Sequence, residues 1–132
     1  METINHECYV SLEVAKLLKE VGFDWETVQA YGQDEGLYGS IGISWDFNNK
    51  KEGFVSAPTL SIAQKWLREE RNVSIDLISN KWGRFDFRIQ QINVSEEDKM
   101  FSCLGVSAQM YDTYESALEA GILKCLTLLL EK

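Results

Sequence analysis

Few residues in this 132-residue chain have the type and spacing that chemistry requires. The single histidine, His6, has no second ligand at helical or loop spacing, so it does not read as a metal site. Its isolation also leaves Cys8, Cys103, Cys125 and every serine without a histidine partner for a nucleophilic triad. Two acidic groups, Asp34-Glu35 and Glu96-Glu97-Asp98, could in principle bind a cation or exchange protons. Neither has the alternating oxygen spacing of a calcium loop, and both read as solvated turns. Gly39-Ser40-Ile41-Gly42 lacks the lysine and following helix of a phosphate loop. No catalytic residue, metal ligand or cofactor motif is assigned.

The basic side chains make the strongest candidate. Net charge is −8, yet residues 65–88 hold six bases against four acids. Lys65, Arg68 and Arg71 follow one another at three-residue intervals, and Arg84 and Arg88 share a strand parity. With Trp82 in the adjoining turn, these six residues could present cations and a stacking surface to an acidic partner or a nucleic-acid backbone. The competing expectation is local pairing with Glu69, Glu70, Asp76 and Asp86, because mixed charge is the ordinary state of a surface. The overall acidity disfavours nonspecific contact with nucleic acid or anionic lipid.

These groups need elements to hold them, and the apolar pattern supplies three helices. Ser11 is placed to cap a helix over 12–21, with Val14, Leu17, Leu18 and Val21 on one stripe and Gly22 as the stop. A second helix starts within Ser56-Ala57-Pro58-Thr59, with Ser61 and Gln64 as an alternative capping box, and runs to about Arg71. Its expected buried stripe is Ile62, Ala63, Trp66 and Leu67. The third helix opens at Asp112-Thr113 and runs to about Leu130. Tyr114, Leu118, Ile122, Cys125 and Leu129 form one stripe on it, and Leu123, Leu126 and Leu130 a second. So wide an apolar arc implies cover from the first helix or from a second subunit. Ile122, Leu123, Leu126 and Leu130 are the candidate self-association residues. Gly121 within the arc would let the helix approach a sheet closely.

Alternation supplies the strands. Residues 28–31 lead through the turn Gln33–Gly36 into residues 40–47, the most regular apolar/polar alternation in the chain. Residues 54–55 form a brief edge. Val73, Ile75 and Leu77 pair across Asn80–Gly83 with Phe85, Phe87 and Ile89, and a weaker strand covers about 100–108. The element order is α-β-β-α-β-β-β-α. It implies an α+β fold of two layers, an antiparallel sheet of about five strands with helices on one face. Residues 1–132 read as a single domain, without linker or low-complexity sequence.

Three well-separated cysteines argue for free thiols, with Cys103 and Cys125 in the core. The first seven residues lack the basic start and apolar stretch of an export signal, and no apolar run spans a membrane. The expected location is therefore cytoplasmic.

Three stretches resemble one group of proteins. They are Ser56-Ala57-Pro58-Thr59-Leu60-Ser61-Ile62-Ala63-Gln64-Lys65-Trp66-Leu67-Arg68-Glu69, Tyr114-Glu115-Ser116-Ala117-Leu118-Glu119-Ala120-Gly121-Ile122-Leu123 and Val10-Ser11-Leu12-Glu13-Val14-Ala15-Lys16-Leu17-Leu18. All three resemble small uncharacterised proteins of Bacteroidales-type gut bacteria and their prophages or mobile elements. That resemblance implies a mobile-element setting and no activity. Residues 59–131 are also similar in element order to double-stranded RNA-binding domains. They carry Asp112, Glu115 and Glu119, with no lysine before Lys124, where those domains start their last helix with lysines. Residues 113–118 after three strands look like the antitoxins of small toxin–antitoxin pairs, acidic proteins that bind a toxin. The expectation is a non-catalytic protein-interaction module, acting on an unidentified protein partner or as a homodimer. The alternative is a nucleic-acid binder using residues 65–88.

Overall fold

The computed structural model describes residues 8–39, 49, 53–98 and 110–131. Three helices and two small antiparallel sheets make up the described part. The first helix, α1, spans Leu12–Glu20, and its cap is the expected one: the Val14 N–H donates to Ser11 Oγ at 3.3 Å. Gly22 follows at φ +100°, a left-handed turn that an L side chain would strain. Strands β1 (Gln29–Tyr31), β2 (Leu37–Gly39) and β3 (Val55–Ser56) form one sheet in the order β2-β1-β3.

Helix α2 spans Leu60–Glu70 and is capped by Thr59, whose hydroxyl accepts from Ile62 N–H at 3.2 Å. Pro58 therefore lies before the cap rather than in the first turn, and its carbonyl accepts from Val10 N–H at 3.0 Å. The buried stripe shifts with the cap: Leu60, Ala63, Trp66 and Leu67 face the core, while Ile62, expected inside, is 37% exposed.

Strands β4 (Val73–Ser79) and β5 (Phe85–Gln91) pair along their whole length in the register Ile75 opposite Ile89 and Leu77 opposite Phe87. Tyr111 adds a single bridge to β5, exchanging two backbone hydrogen bonds with Phe85 at 2.8 and 2.7 Å. A short helical turn covers Glu96–Asp98. Helix α3 (Tyr114–Leu130) opens with a reciprocal capping box between Thr113 and Ser116.

Helix α3 is the centre of the molecule. It packs on β4 and β5 and also touches α1 and α2. Gly121 makes the sheet contact close, since a Cβ there would fall 2.9 Å from Ile75 Cγ2 and 3.1 Å from Phe87 Cγ. The wide arc of α3 is thus covered inside one chain. Ile122 and Leu126 are fully buried, Leu123 packs half-buried on the same core, and Leu130 alone of the four is exposed. Ile122 and Leu126 are therefore taken up by the chain's own core, and of the four candidates only Leu123 and Leu130 keep accessible surface.

The expected sheet of about five strands meets two separate ladders here. Two segments it relied on, 40–47 and 100–108, lie outside the described residues, as does Cys103. Cys125 is buried as expected, and burial pushes its thiol up to about 12. No helix among the described residues is long and apolar enough to cross a membrane.

Candidate functional site

The six residues of the basic cluster sit on three elements and are mostly engaged locally. Lys65 faces Glu69 one helical turn on, at 4.0 Å. Arg71 donates from its guanidinium to the Val21 carbonyl at 2.7 Å, tying the end of α2 to the end of α1. Arg84 donates to the Met110 carbonyl at 2.9 Å and lies 3.5 Å from Asp112. Arg88 pairs with Asp76 directly across the β4–β5 ladder at 3.3 Å. Arg68 is exposed on α2. Trp82 is 75% exposed at the hairpin tip, with the Lys81 ammonium 4.9 Å from its ring. The spacing that suggested a patch on α2 fails at Arg71, which occupies the C-cap and turns inward rather than continuing the helical face.

The acidic turns are self-contained. Tyr38 OH and Gly36 N–H both donate to Asp34, and the Tyr38 bond chiefly holds its carboxyl below the usual range. The same bond raises the Tyr38 phenol. Asp98 accepts from Ser95 Oγ at 2.9 Å. Among the described residues no three His, Cys, Asp or Glu side chains gather into a metal site. Gly39 lies in β2, and the remainder of the glycine motif lies outside the described residues.

One concave surface is not announced by the sequence pattern. Three chain segments meet beside the start of α2. Residues 8–10 run antiparallel to Pro58-Thr59, with Leu60 N–H donating to the Cys8 carbonyl at 2.8 Å. Ala57 N–H donates to the Gln29 carbonyl at 2.9 Å, which brings the segment before β1 alongside. Between them lies an open groove of about 260 Å³ with Tyr9, Trp25, Val28, Pro58 and Ile62 among its walls. Glu26, Thr27 and Thr59 supply its polar positions. Its floor is fixed: Ala57 is fully buried, and Trp25 packs near Phe23, whose ring meets Trp66 edge-on at 5.4 Å. Val28 is 54% exposed, so the groove presents apolar surface to solvent. Ile62 was the one available sequence signal, the residue of the α2 stripe left outside once Thr59 is taken as the cap.

No family model matches the sequence, and neither a curated protein nor a solved structure is significantly similar to it.

Proposed function

We propose that this chain is a non-catalytic protein-binding module that seats an apolar side chain of a partner protein in the Tyr9–Trp25–Val28–Ile62 groove. The observation that carries this reading is the combination of a rigid aromatic floor with exposed aliphatic rims in one concave surface. Aromatic anchors in such pockets are where binding energy concentrates in protein interfaces. At about 260 Å³ the groove is smaller than most small-molecule sites, which run from roughly 300 to 1,000 Å³, and matches a single inserted side chain. The mobile-element setting belongs to the same reading and rests on the resemblance of residues 10–18, 56–69 and 114–123.

A nucleic-acid reading draws on the exposed Trp82 and its stacked Lys81. It is the weaker one, because Lys65, Arg71, Arg84 and Arg88 already have local partners. Selection from a displayed random-peptide library against the purified protein tests the groove. Peptides with an aromatic or large aliphatic anchor are expected, and Val28→Asp or Ile62→Glu should weaken them by about tenfold or more. Failure to enrich any peptide, or binding indifferent to both substitutions, overturns the reading.

A further inference from the structure

A second recess lies between α1 and the β1–β2 turn, and it shares no wall with the groove. Leu12, Lys16 and Lys19 follow one another at i, i+4 and i+7, a stripe of α1 beside its buried residues Val14, Ala15 and Leu18. That stripe makes one wall of a cavity of about 250 Å³. Gly32, Gln33 and Glu35 of the turn face it, together with Gly53, Phe54 and Val55. Both walls are held in place. The turn closes through Gly32 N–H to Gly36 O and Glu35 N–H to Gly32 O, each at 2.9 Å. Val55 pairs with Tyr31 in the β1–β3 ladder, and Tyr31 OH donates to the Val10 carbonyl at 2.7 Å, just ahead of α1.

The charges on these walls decide what the recess takes. Lys65, Arg71, Arg84 and Arg88 are engaged by acids or carbonyls. Lys16 and Lys19 make no ion pair among the described residues, although Glu13 and Glu20 share their helix. Of the acids in the facing turn, Asp34 is already taken by Tyr38 OH and Gly36 N–H, which leaves Glu35. Residues three apart on a helix are neighbours, about 5–6 Å between Cβ atoms, so both ammoniums can close on one head group. We propose that this recess binds a small organic phosphate monoester, its head held by Lys16 and Lys19 and its apolar body laid on Leu12, Phe54 and Val55. Such a head carries about −1.5 to −2 at neutral pH, which suits two ammoniums better than the single charge of a carboxylate. Glu35 repels the head from the turn side and so directs it to the helix. The Gln33 amide, which lies against Gly53, supplies a neutral donor on the facing wall. The volume is below the roughly 300–1,000 Å³ of drug-sized sites, so the body is about one ring in size. A neighbouring depression of about 460 Å³ shares Gly32, Gln33, Gly53 and Phe54 as walls and gives room for a longer ester. None of these residues belongs to the groove, so each proposal stands or falls alone.

The test is a titration of phenyl phosphate into isotope-labelled protein at low salt, followed by nuclear magnetic resonance. Amide resonances of Gly32, Gly53 and Val55 should move together, while those of Val28 and Ile62 in the groove stay still. Inorganic phosphate, which is the head alone, and benzoate, a ring with one charge, should each bind more weakly. Replacing both lysines, Lys16→Gln with Lys19→Gln, should weaken phenyl phosphate by about tenfold or more. Both side chains are exposed, so the circular-dichroism spectrum should not change. Glu35→Gln should strengthen binding by about twofold, because it removes an exposed opposing charge. The proposal is overturned if no resonance moves at millimolar probe, or if the movement is indifferent to the double lysine substitution. It is equally overturned if inorganic phosphate or benzoate binds as tightly as phenyl phosphate.

Discussion

The β4–β5 hairpin with α3 and the β1–β3 sheet with its flanking segments are built on different terms. The first uses two seven-residue strands in continuous register and a helix drawn onto them by Gly121. Its inward residues Ile75, Ile89, Ile122 and Leu126 are almost wholly shielded from water. The second pairs β1 with β2 on one side and β3 on the other, and side chains add further ties. Asn49 alone donates to the Phe23 carbonyl and accepts from Ser56 N–H, both at 2.8 Å. This region also holds Gln29 Oε1 and Ser56 Oγ buried without a hydrogen-bonding partner among the described residues, and exposes Val28, Leu37 and Tyr38. An unmade buried hydrogen bond costs about 1–3 kcal/mol. Among the described residues, these unmade bonds and the groove both lie in the second region.

The largest expected effect tests that division directly. Ile122→Ala should destabilise by about 2–5 kcal/mol in denaturant unfolding, because the cavity it leaves is walled on every side. Val28→Ala should stay within about 0.5 kcal/mol. Comparable losses at the two positions would break the contrast.

Gly121→Ala should act next. Overpacking against Ile75 and Phe87 costs about 1–3 kcal/mol, and the gain in helix propensity returns about 1 kcal/mol. A net loss near 1 kcal/mol, read as a lowered denaturant midpoint, would sharpen the picture. A gain would mean that α3 lifts freely from the sheet.

The smallest effect lies at the β1–β2 turn. Asp34 is held below the usual carboxylate range, so its contribution to turn order is present above the unfolded pKa and fades as pH falls through the folded one. Tyr38 is raised, so its contribution is complete below the ordinary phenol range and lost as pH climbs through the raised value. The Gly36 amide resonance should therefore move at both extremes, with global stability nearly unchanged because both side chains are exposed. A large loss of global stability from Asp34→Asn would overturn this.

How far these features could be read beforehand follows the same division. The helix cap at Ser11, the opening of α3 at Asp112-Thr113, the stop at Gly22, the β4–β5 hairpin and the tight approach at Gly121 all come from local spacing. The sequence pattern shows them plainly. The start of α2 is open in the sequence, because Ser56, Pro58, Thr59 and Ser61 all suit a helix start, and the structure takes Thr59, with Pro58 paired to Val10. With that cap Leu60 joins the buried stripe and Ile62 faces the groove. The groove itself joins residues 9, 25–28 and 57–62 through backbone bonds between irregular segments, which no periodicity announces. The basic cluster was legible as composition but not as geometry. Its members lie on separate elements, and local acids and carbonyls claim most of them.

The side-chain amide of Gln64 also bears on how the β4–β5 hairpin meets other chains. Unprotected sheet edges are templates for fibrils, because each added strand presents a fresh edge. Gln64 Nε2 donates to the Ile75 carbonyl at 2.7 Å on the β4 side. On the other side of the hairpin, Tyr111 pairs with Phe85, and the Asp86 carboxylate accepts the Phe87 amide at 2.7 Å. One glutamine and one aspartate thus each take up a backbone group that a foreign strand would need.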